Sequence, residues 1–294
     1  LSARCGRNVL MEKEALLRFA ETIALYAGDV ILMKGFRAED TVVSYKSRTN
    51  LLTSIDKASE EYLYESIRNR FPSHAIVAEE GSESRSADDI TWYIDPLDAT
   101  NNFAHGIHHF CVSVGAYSRE LGSSLVGAVY DPGRKELFSA MKGGGATLNG
   151  KPIRVSLINN IGISLLATGF PYDKTNSDVN NLQQFNAFLP RIQCIRRLGS
   201  AALDLCYVAA GRIEGYWEPM LNPWDSAAGA LIVEEAGGKV TKYDGTEFDL
   251  QVPEIVASNG LIHAEMVKTL VSATSIYPRD IVRSAGPGFD SDRN

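Results

Sequence analysis

Two acids, Asp95 and Asp98, follow the apolar run Ile90-Thr91-Trp92-Tyr93-Ile94 with only Pro96 and Leu97 between them. A run of this kind reads as a buried strand, so both carboxylates begin at the edge of a core. A buried carboxylate is costly unless a cation or several donors compensate it. The pair therefore asks for a cation. A turn at Pro96 lets both side chains and the Leu97 carbonyl face one point. Oxygen donors without His or Cys suit Mg²⁺, which takes carboxylates, carbonyls and waters. Asp98 or Thr100 can also open a short helix whose free N–H groups attract a phosphate.

Other acids share this layout. Glu79 follows the short apolar run Ala75-Ile76-Val77-Ala78, Asp56 follows Leu51-Leu52-Thr53-Ser54-Ile55, and Asp225 stands before an Ala-rich run. Each has a plainer reading taken alone. Asp95-Pro96 is a common turn, Glu79-Glu80 a solvated strand end, and Asp56 and Asp225 are ordinary helix-start residues. What favours chemistry is that every one lies where a strand or loop meets the next element, which is where active-site residues collect. His105, His108 and His109 are loosely spaced, with no carboxylate or Cys in zinc register and no nucleophile beside them.

The elements that must carry these acids follow from periodicity. Leu16, Phe19, Ala20, Ile23 and Ala27 predict one amphipathic helix from about Glu12 to Phe36. A second helix after Asp56 carries Leu63, Ile67 and Phe71 on one face and stops at Pro72. Strands are predicted at 75–78, 90–94, 110–117, 124–130 and 135–140, with turns at Asp131-Pro132-Gly133 and Gly143-Gly144-Gly145. The later sequence alternates: a strand near 163–168, a helix near 179–188, a strand near 194–197, a helix 201–210 closed by Gly211, a helix 226–236 opened by Asp225, and a strand 239–243. The expectation is an N-terminal α+β half, residues 1–157, with a mainly antiparallel sheet. An α/β half, residues 158–284, and a Gly-, Asp- and Arg-rich tail, residues 285–294, complete it.

Bulk properties bound the rest. The chain has 294 residues, 45% of them hydrophobic, so a sizeable core can be buried. A net charge of −7 argues against a protein built to grip nucleic acid. Cys5, Cys111, Cys194 and Cys206 lack paired CxxC spacing and read as reduced packing residues. No signal pattern and no membrane-length apolar run is present, so a cytoplasmic enzyme without a membrane partner is expected. The start at Leu1 suggests that residues precede it.

Several motifs together resemble the inositol monophosphatase family, a branch of the lithium-sensitive, Mg²⁺-dependent phosphatases. They are Leu52-Thr53-Ser54-Ile55-Asp56; Phe71-Pro72-Ser73-His74 with Ala78-Glu79-Glu80-Gly81; Trp92-Tyr93-Ile94-Asp95-Pro96-Leu97-Asp98-Ala99-Thr100-Asn101-Asn102-Phe103; and Pro223-Trp224-Asp225 leading to Glu234-Glu235-Ala236-Gly237-Gly238. Gly144 to Ser156, with Leu148-Asn149-Gly150-Lys151, is also similar. The likeness runs through residues 12–275. It implies a layered αβαβα sandwich of the sugar-phosphatase type, two or three Mg²⁺ ions per site and a homodimer.

The resemblance also implies roles. Glu79, Asp95 and the Leu97 carbonyl would hold one metal, and Asp95, Asp98 and Asp225 a second. Glu79 would also serve a weaker third. Asp56 and the Thr100 hydroxyl would orient the attacking water. Asp98, Ala99 and Thr100 would meet the phosphate. Gly199, Ser200, Ala201, Glu218 and Asp225 would meet the rest of the substrate. This chain departs from the family at Ala99, where Gly is usual, and at Asn50, where Asp is frequent. Ala99 is tolerable there if its φ is negative. Lys46 lies close to the usual basic residue of the same loop. The implied reaction is hydrolysis of inositol 1-phosphate or a similar polyol phosphate. Relatives on this scaffold cleave fructose 1,6-bisphosphate, 3′-phosphoadenosine 5′-phosphate or histidinol phosphate. Tyr172 and Tyr216 keep a nucleotide substrate open, and some bacterial relatives act as partners in transcription complexes.

Overall fold

The computed structural model describes residues 2–36, 43–45, 51–172 and 179–274. Lys46, Asn50 and the tail from 285 lie outside the described residues. The chain opens with α1 (Ser2–Tyr26), which widens into a π-helical stretch, Ala27–Leu32, before α2 (Met33–Phe36). One uninterrupted helix was expected here. The widened turn has a local cause: Tyr130 packs so closely on Gly28 that a Cβ there would lie 2.5 Å from its ring, and its hydroxyl donates to Asp29 Oδ1 at 2.7 Å.

After the small hairpin β1 (Val43–Tyr45) and β2 (Leu51–Thr53) come α3 (Ser54–Arg70), β3 (Ala75–Ala78), β4 (Glu83–Ser84), β5 (Ile90–Asp98) and α4 (Thr100–Ala104). Then follow β6 (Cys111–Ser118), β7 (Ser123–Asp131), β8 (Glu136–Met141), β9 (Gly145–Leu148) and β10 (Lys151–Pro152). These strands form an eight-stranded sheet in the order β10-β9-β8-β7-β6-β5-β3-β4. Only β3 and β5 pair in parallel; the others are antiparallel. That one parallel pair sets the ends of β3 and β5, and so Glu79 and Asp95, on the same side of the sheet.

The second sheet has β11 (Leu165–Thr168), β12 (Cys194–Arg196), β13 (Gly215–Pro219), β14 (Lys239–Thr241) and β15 (Glu254–Ser258), in the order β12-β11-β13-β15-β14. Its helices are α5 (Leu182–Phe188), α6 (Ala201–Ala209), α7 (Pro223–Glu235) and α8 (His263–Thr274). Helices α1 and α3 cover one face of the large sheet, α6 and α7 fill the space between the sheets, and α5 and α8 cover the outer face of the small one. The result is the layered αβαβα sandwich.

Close approach makes the central layer possible. Gly115 of β6 and Gly127 of β7 are cross-strand partners beneath α7. A Cβ on Gly127 would lie 2.8 Å from the Ala228 carbonyl oxygen, and one on Gly115 would lie 3.1 Å from the Ala227 Cβ. Any side chain at either position lifts α7, and Asp225 with it, off the sheet.

Several elements differ from the sequence reading or were absent from it. Helix α5 starts at Leu182 rather than Val179, because Asn181 takes a left-handed φ of 65°. Its buried amide donates to Thr168 Oγ1 (2.8 Å) and Gly169 O (2.6 Å) and accepts from Trp217 Nε1 (2.8 Å). Asp225 does not open α7; Pro223 occupies the first turn, and Asp225 lies inside it, accepting from Asn222 N at 2.6 Å. Strands β13 and β15 and helix α8 were absent from the sequence reading; β13 is buried on both faces and so does not alternate, whereas α8 does carry helical spacing in Met266, Val267, Leu270 and Val271.

His263, at the start of α8, is 3% exposed, with Nδ1 2.8 Å from Ser258 Oγ and Nε2 2.9 Å from Thr241 Oγ1. Burial, then Lys239, pushes its pKa down to about 4. The unfolded chain therefore binds this proton first, and the stability carried by the neutral ring is lost as pH falls from about 6.5 toward 4. From pH 7 to pH 5 the loss amounts to about 2 kcal/mol for this one group. Urea denaturation at both pH values checks it: His263→Gln, which keeps a donor and an acceptor, should lose less stability on acidification than the parent.

Candidate active site

A cavity of about 250 Å³ opens where the ends of β3 and β5 meet the starts of α6 and α7. Glu79, Asp95, Asp98 and Asp225 all line it, with Leu97, Ala99 and Thr100 beside them. Asp95 is 2% exposed. Burial raises its carboxyl well above the usual range, and Glu79, Asp98 and Asp225 push it further; a hydrogen bond with Glu79 adds to the shift. Asp225 is likewise raised by burial and then by the charge of Glu79. Like charges gathered out of water hold protons or a cation.

The donor set fits Mg²⁺: several oxygens, no sulfur or imidazole, and a surplus of buried negative charge. Among the described residues no three acids are yet drawn into finished ligand geometry. They share the cavity wall, and Asp95 hydrogen-bonds with Glu79.

Each acid is aimed by a separate device. The strand pairing of β5 slips between Asp95 and Asp98, so the chain bulges through Pro96 and Leu97. The Leu97 N–H donates to Asp95 Oδ1 at 3.0 Å and closes that turn. Helix α3 lies beneath: Ser59 Oγ donates to Pro96 O at 2.9 Å, and the Thr100 hydroxyl donates to buried Asp56 Oδ1 at 3.0 Å. Glu60 of α3, 3% exposed, accepts from the backbone N–H of Glu80 (2.7 Å) and of Ser82 (2.9 Å), which fixes the loop that carries Glu79. The sequence reading missed Glu60. Its signal was present: Asp56, Ser59 and Glu60 share the helical face of Leu63 and Ile67, an odd place for polar residues unless they support something.

Asp98 is bound from the other half of the chain. Its Oδ2 accepts from Ser200 Oγ at 2.6 Å and from Ala202 N at 2.9 Å, both at the start of α6. The Ser200 oxygen also accepts from Leu203 N at 3.2 Å, capping that helix. Ser200 is thus 1% exposed, its hydroxyl committed to Asp98 and the helix and turned away from the cavity. Gly199, Ala201 and Glu218 do line the cavity. Asp56 lies behind the wall and reaches it through Thr100.

Ala99 corrects an expectation. Its φ is 73°, left-handed, at the residue before α4. A non-Gly residue there is strained by roughly 1–2 kcal/mol. The burial of its methyl group (Ala99 is 7% exposed) within the core around Leu97 and Phe103 offsets part of this.

The three histidines do not approach the acids. The His108 ring rests 4.2 Å from Phe36, and buried His109 faces Tyr207 and Arg134. None lines the cavity. Cavity residues that sequence reasoning passed over include Gly169, Arg197 and Asp204.

The sequence profile of the inositol monophosphatase family matches residues 12–275. The chain belongs to this family. It is 46% identical over 224 residues to an inositol-1-monophosphatase of Synechocystis, covering 76% of this chain and 77% of that protein. It is 42% identical over 256 residues to a protein of Pasteurella multocida named Nus factor SuhB, covering 87% and 95%. The solved inositol monophosphatase from Anabaena superposes with a TM-score of 0.80 at 40% identity, over 90% of this chain and 99% of that one. The family is Mg²⁺-dependent, consistent with the donor set described above.

The Ser200 arrangement yields a stability test. Ser200→Ala removes both a donor to buried Asp98 and a helix cap, so urea denaturation should show a loss of about 1–2 kcal/mol. Ser200→Thr keeps both bonds and should recover most of it. An unchanged midpoint in Ser200→Ala would mean that Asp98 does not depend on this hydroxyl.

Proposed function

We propose that the protein is a Mg²⁺-dependent phosphomonoesterase that hydrolyses inositol 1-phosphate or a similar polyol phosphate. The observation that carries this reading is the convergence on one cavity of buried Asp95 with half-buried Glu79, Asp98 and Asp225, brought there by the end of β3, the β5 bulge and the first turn of α7. The reading includes two or three ions per site and a homodimer, both from the family resemblance.

Glu79, Asp95, Asp98, Asp225 and the Leu97 carbonyl hold the ions in this reading. When bound, Mg²⁺ supplies positive charge to offset the phosphate dianion and makes water more acidic. Phosphoryl transfer asks the chain mainly for positioning. Thr100, tied to Asp56, offers its hydroxyl oxygen to orient the attacking water. Its other near neighbour, the Leu97 carbonyl, lies 3.2 Å away and keeps the hydroxyl from rotating freely. Ala99 and Thr100 present backbone N–H groups to the phosphate. Glu218 faces the leaving alcohol. Burial pushes its carboxyl up to about 7, and Tyr216 donates a hydrogen bond to it. The Glu218 carboxyl suits a hydroxyl, and Phe170, Tyr172 and Arg197 line the same cavity.

Phosphate release from inositol 1-phosphate tests the reading. EDTA should abolish it, Mg²⁺ restore it, and Ca²⁺ oppose the restoration, since Ca²⁺ coordinates more loosely. Asp225→Asn should lower turnover on the order of 100-fold or more, with little change in thermal midpoint. Equal turnover of that variant at saturating Mg²⁺ would contradict the assignment.

A further inference from the structure

Helix α6 reads Ala-Ala-Leu-Asp-Leu-Cys-Tyr-Val-Ala, and Asp204 is its only charged residue. The side chain sits among packed apolar neighbours and is 1% exposed. One carboxyl oxygen, Oδ1, is buried without a hydrogen-bond partner. Asp204 lines the same cavity as Glu218 and Arg197, and the charge of Asp98 also reaches it. An orphaned buried oxygen is a standing cost of about 1–3 kcal/mol, and such groups persist where a ligand satisfies them.

Two neighbours narrow the choice of ligand. Glu218 stands close enough for its charge to act on Asp204, after burial, in raising that carboxyl. Gly169 leaves the space that the Glu218 carboxyl fills: a Cβ there would lie 2.1 Å from Glu218 Oε1. The wall is thus built around two carboxyls of unlike supply. Glu218 has the Tyr216 hydroxyl; Asp204 has an oxygen with nothing. A hydroxyl is the partner that serves such an oxygen in either protonation state, because it both donates and accepts.

We propose that Asp204 is a specificity-determining residue: a polyol substrate gives one hydroxyl to Glu218 and a second hydroxyl to Asp204. The assignment deepens the phosphatase reading and rests on it for the placement of the leaving alcohol. A site built to bond a hydroxyl rejects the analogue that lacks it, because a buried group is then left unpaired. Hydroxyl-poor esters gain nothing from Asp204, whereas polyol phosphates do.

Asp204→Leu, similar in size but with no polar atom to meet a hydroxyl, is the variant, with its thermal midpoint measured alongside. Kinetics on inositol 1-phosphate and on p-nitrophenyl phosphate are compared with calorimetric binding of unphosphorylated myo-inositol. The expected result is a KM for inositol 1-phosphate raised roughly 10-fold with kcat within about 2-fold. Kinetics on p-nitrophenyl phosphate stay unchanged, and inositol binding weakens by a similar factor. An equal loss on both esters, or no change on the polyol, overturns the proposal. If the parent cleaves neither ester, the phosphatase reading fails and inositol binding alone decides: weaker binding by the variant supports the subsite, and equal or absent binding overturns it. Should the variant not fold, single-deoxy inositol phosphates on the parent give the answer, since two hydroxyl positions must each matter; a single sensitive position overturns it.

Discussion

Gathering four carboxylates in one buried cavity is the constraint from which the rest of this architecture follows. Nothing in hydrophobic packing favours it. Each acid raises the cost of the others, as the shifts at Asp95 and Asp225 show. The fold brings Glu79, the Asp95–Asp98 bulge and Asp225 from separate elements. Rigid scaffolding then keeps the assembled charges in place.

Two features of the scaffold act as that restraint. Helix α3 is apolar in its second half, where Leu63 and Ile67 pack on the large sheet, and polar in its first turns. Asp56, Ser59 and Glu60 there bond the Thr100, Pro96 and Glu79 segments in turn. One helix thus sets both acidic turns relative to each other. The second feature is the central helix layer. Gly115 and Gly127 let α7 settle on the sheet, and Ser200 with Ala202 at the start of α6 bond Asp98. The site therefore depends on the two sheets being held together through α6 and α7, and packing in that layer is part of the site's geometry.

The acidic motifs were legible because their chemistry is local. A strand that ends in Asp-Pro-Leu-Asp announces a buried charge without any knowledge of its partners. The layered architecture was legible from periodicity and from the motifs that mark the family. What escaped was whatever depends on a distant neighbour. Strand β13 carries Glu218 yet shows no alternation, since both of its faces are covered. Glu60 was passed over in the sequence, because the Glu80 and Ser82 amides that bind it lie 20 and 22 residues away. Ser200 looked like a substrate contact, but its hydroxyl answers to Asp98. The sign of φ at Ala99 could not be read from residue type either, because Ala ordinarily avoids the value that the turn before α4 imposes.

The same logic separates the two ends of the cavity. At the end of the cavity that carries Glu79, Asp95, Asp98 and Asp225 the acids crowd one another, and protons or a cation relieve them. At the alcohol end, Glu218 already has a donor and sits near neutrality. Asp204 there lacks a partner for one oxygen. Charge repulsion makes the first end favour a cation whatever the substrate, which is why the metal motif cannot distinguish one phosphate ester from another. Unsatisfied hydrogen bonding makes the second end discriminate. In the proposed reading, selectivity falls to the part of the wall that α6 and β13 contribute through Asp204 and Glu218.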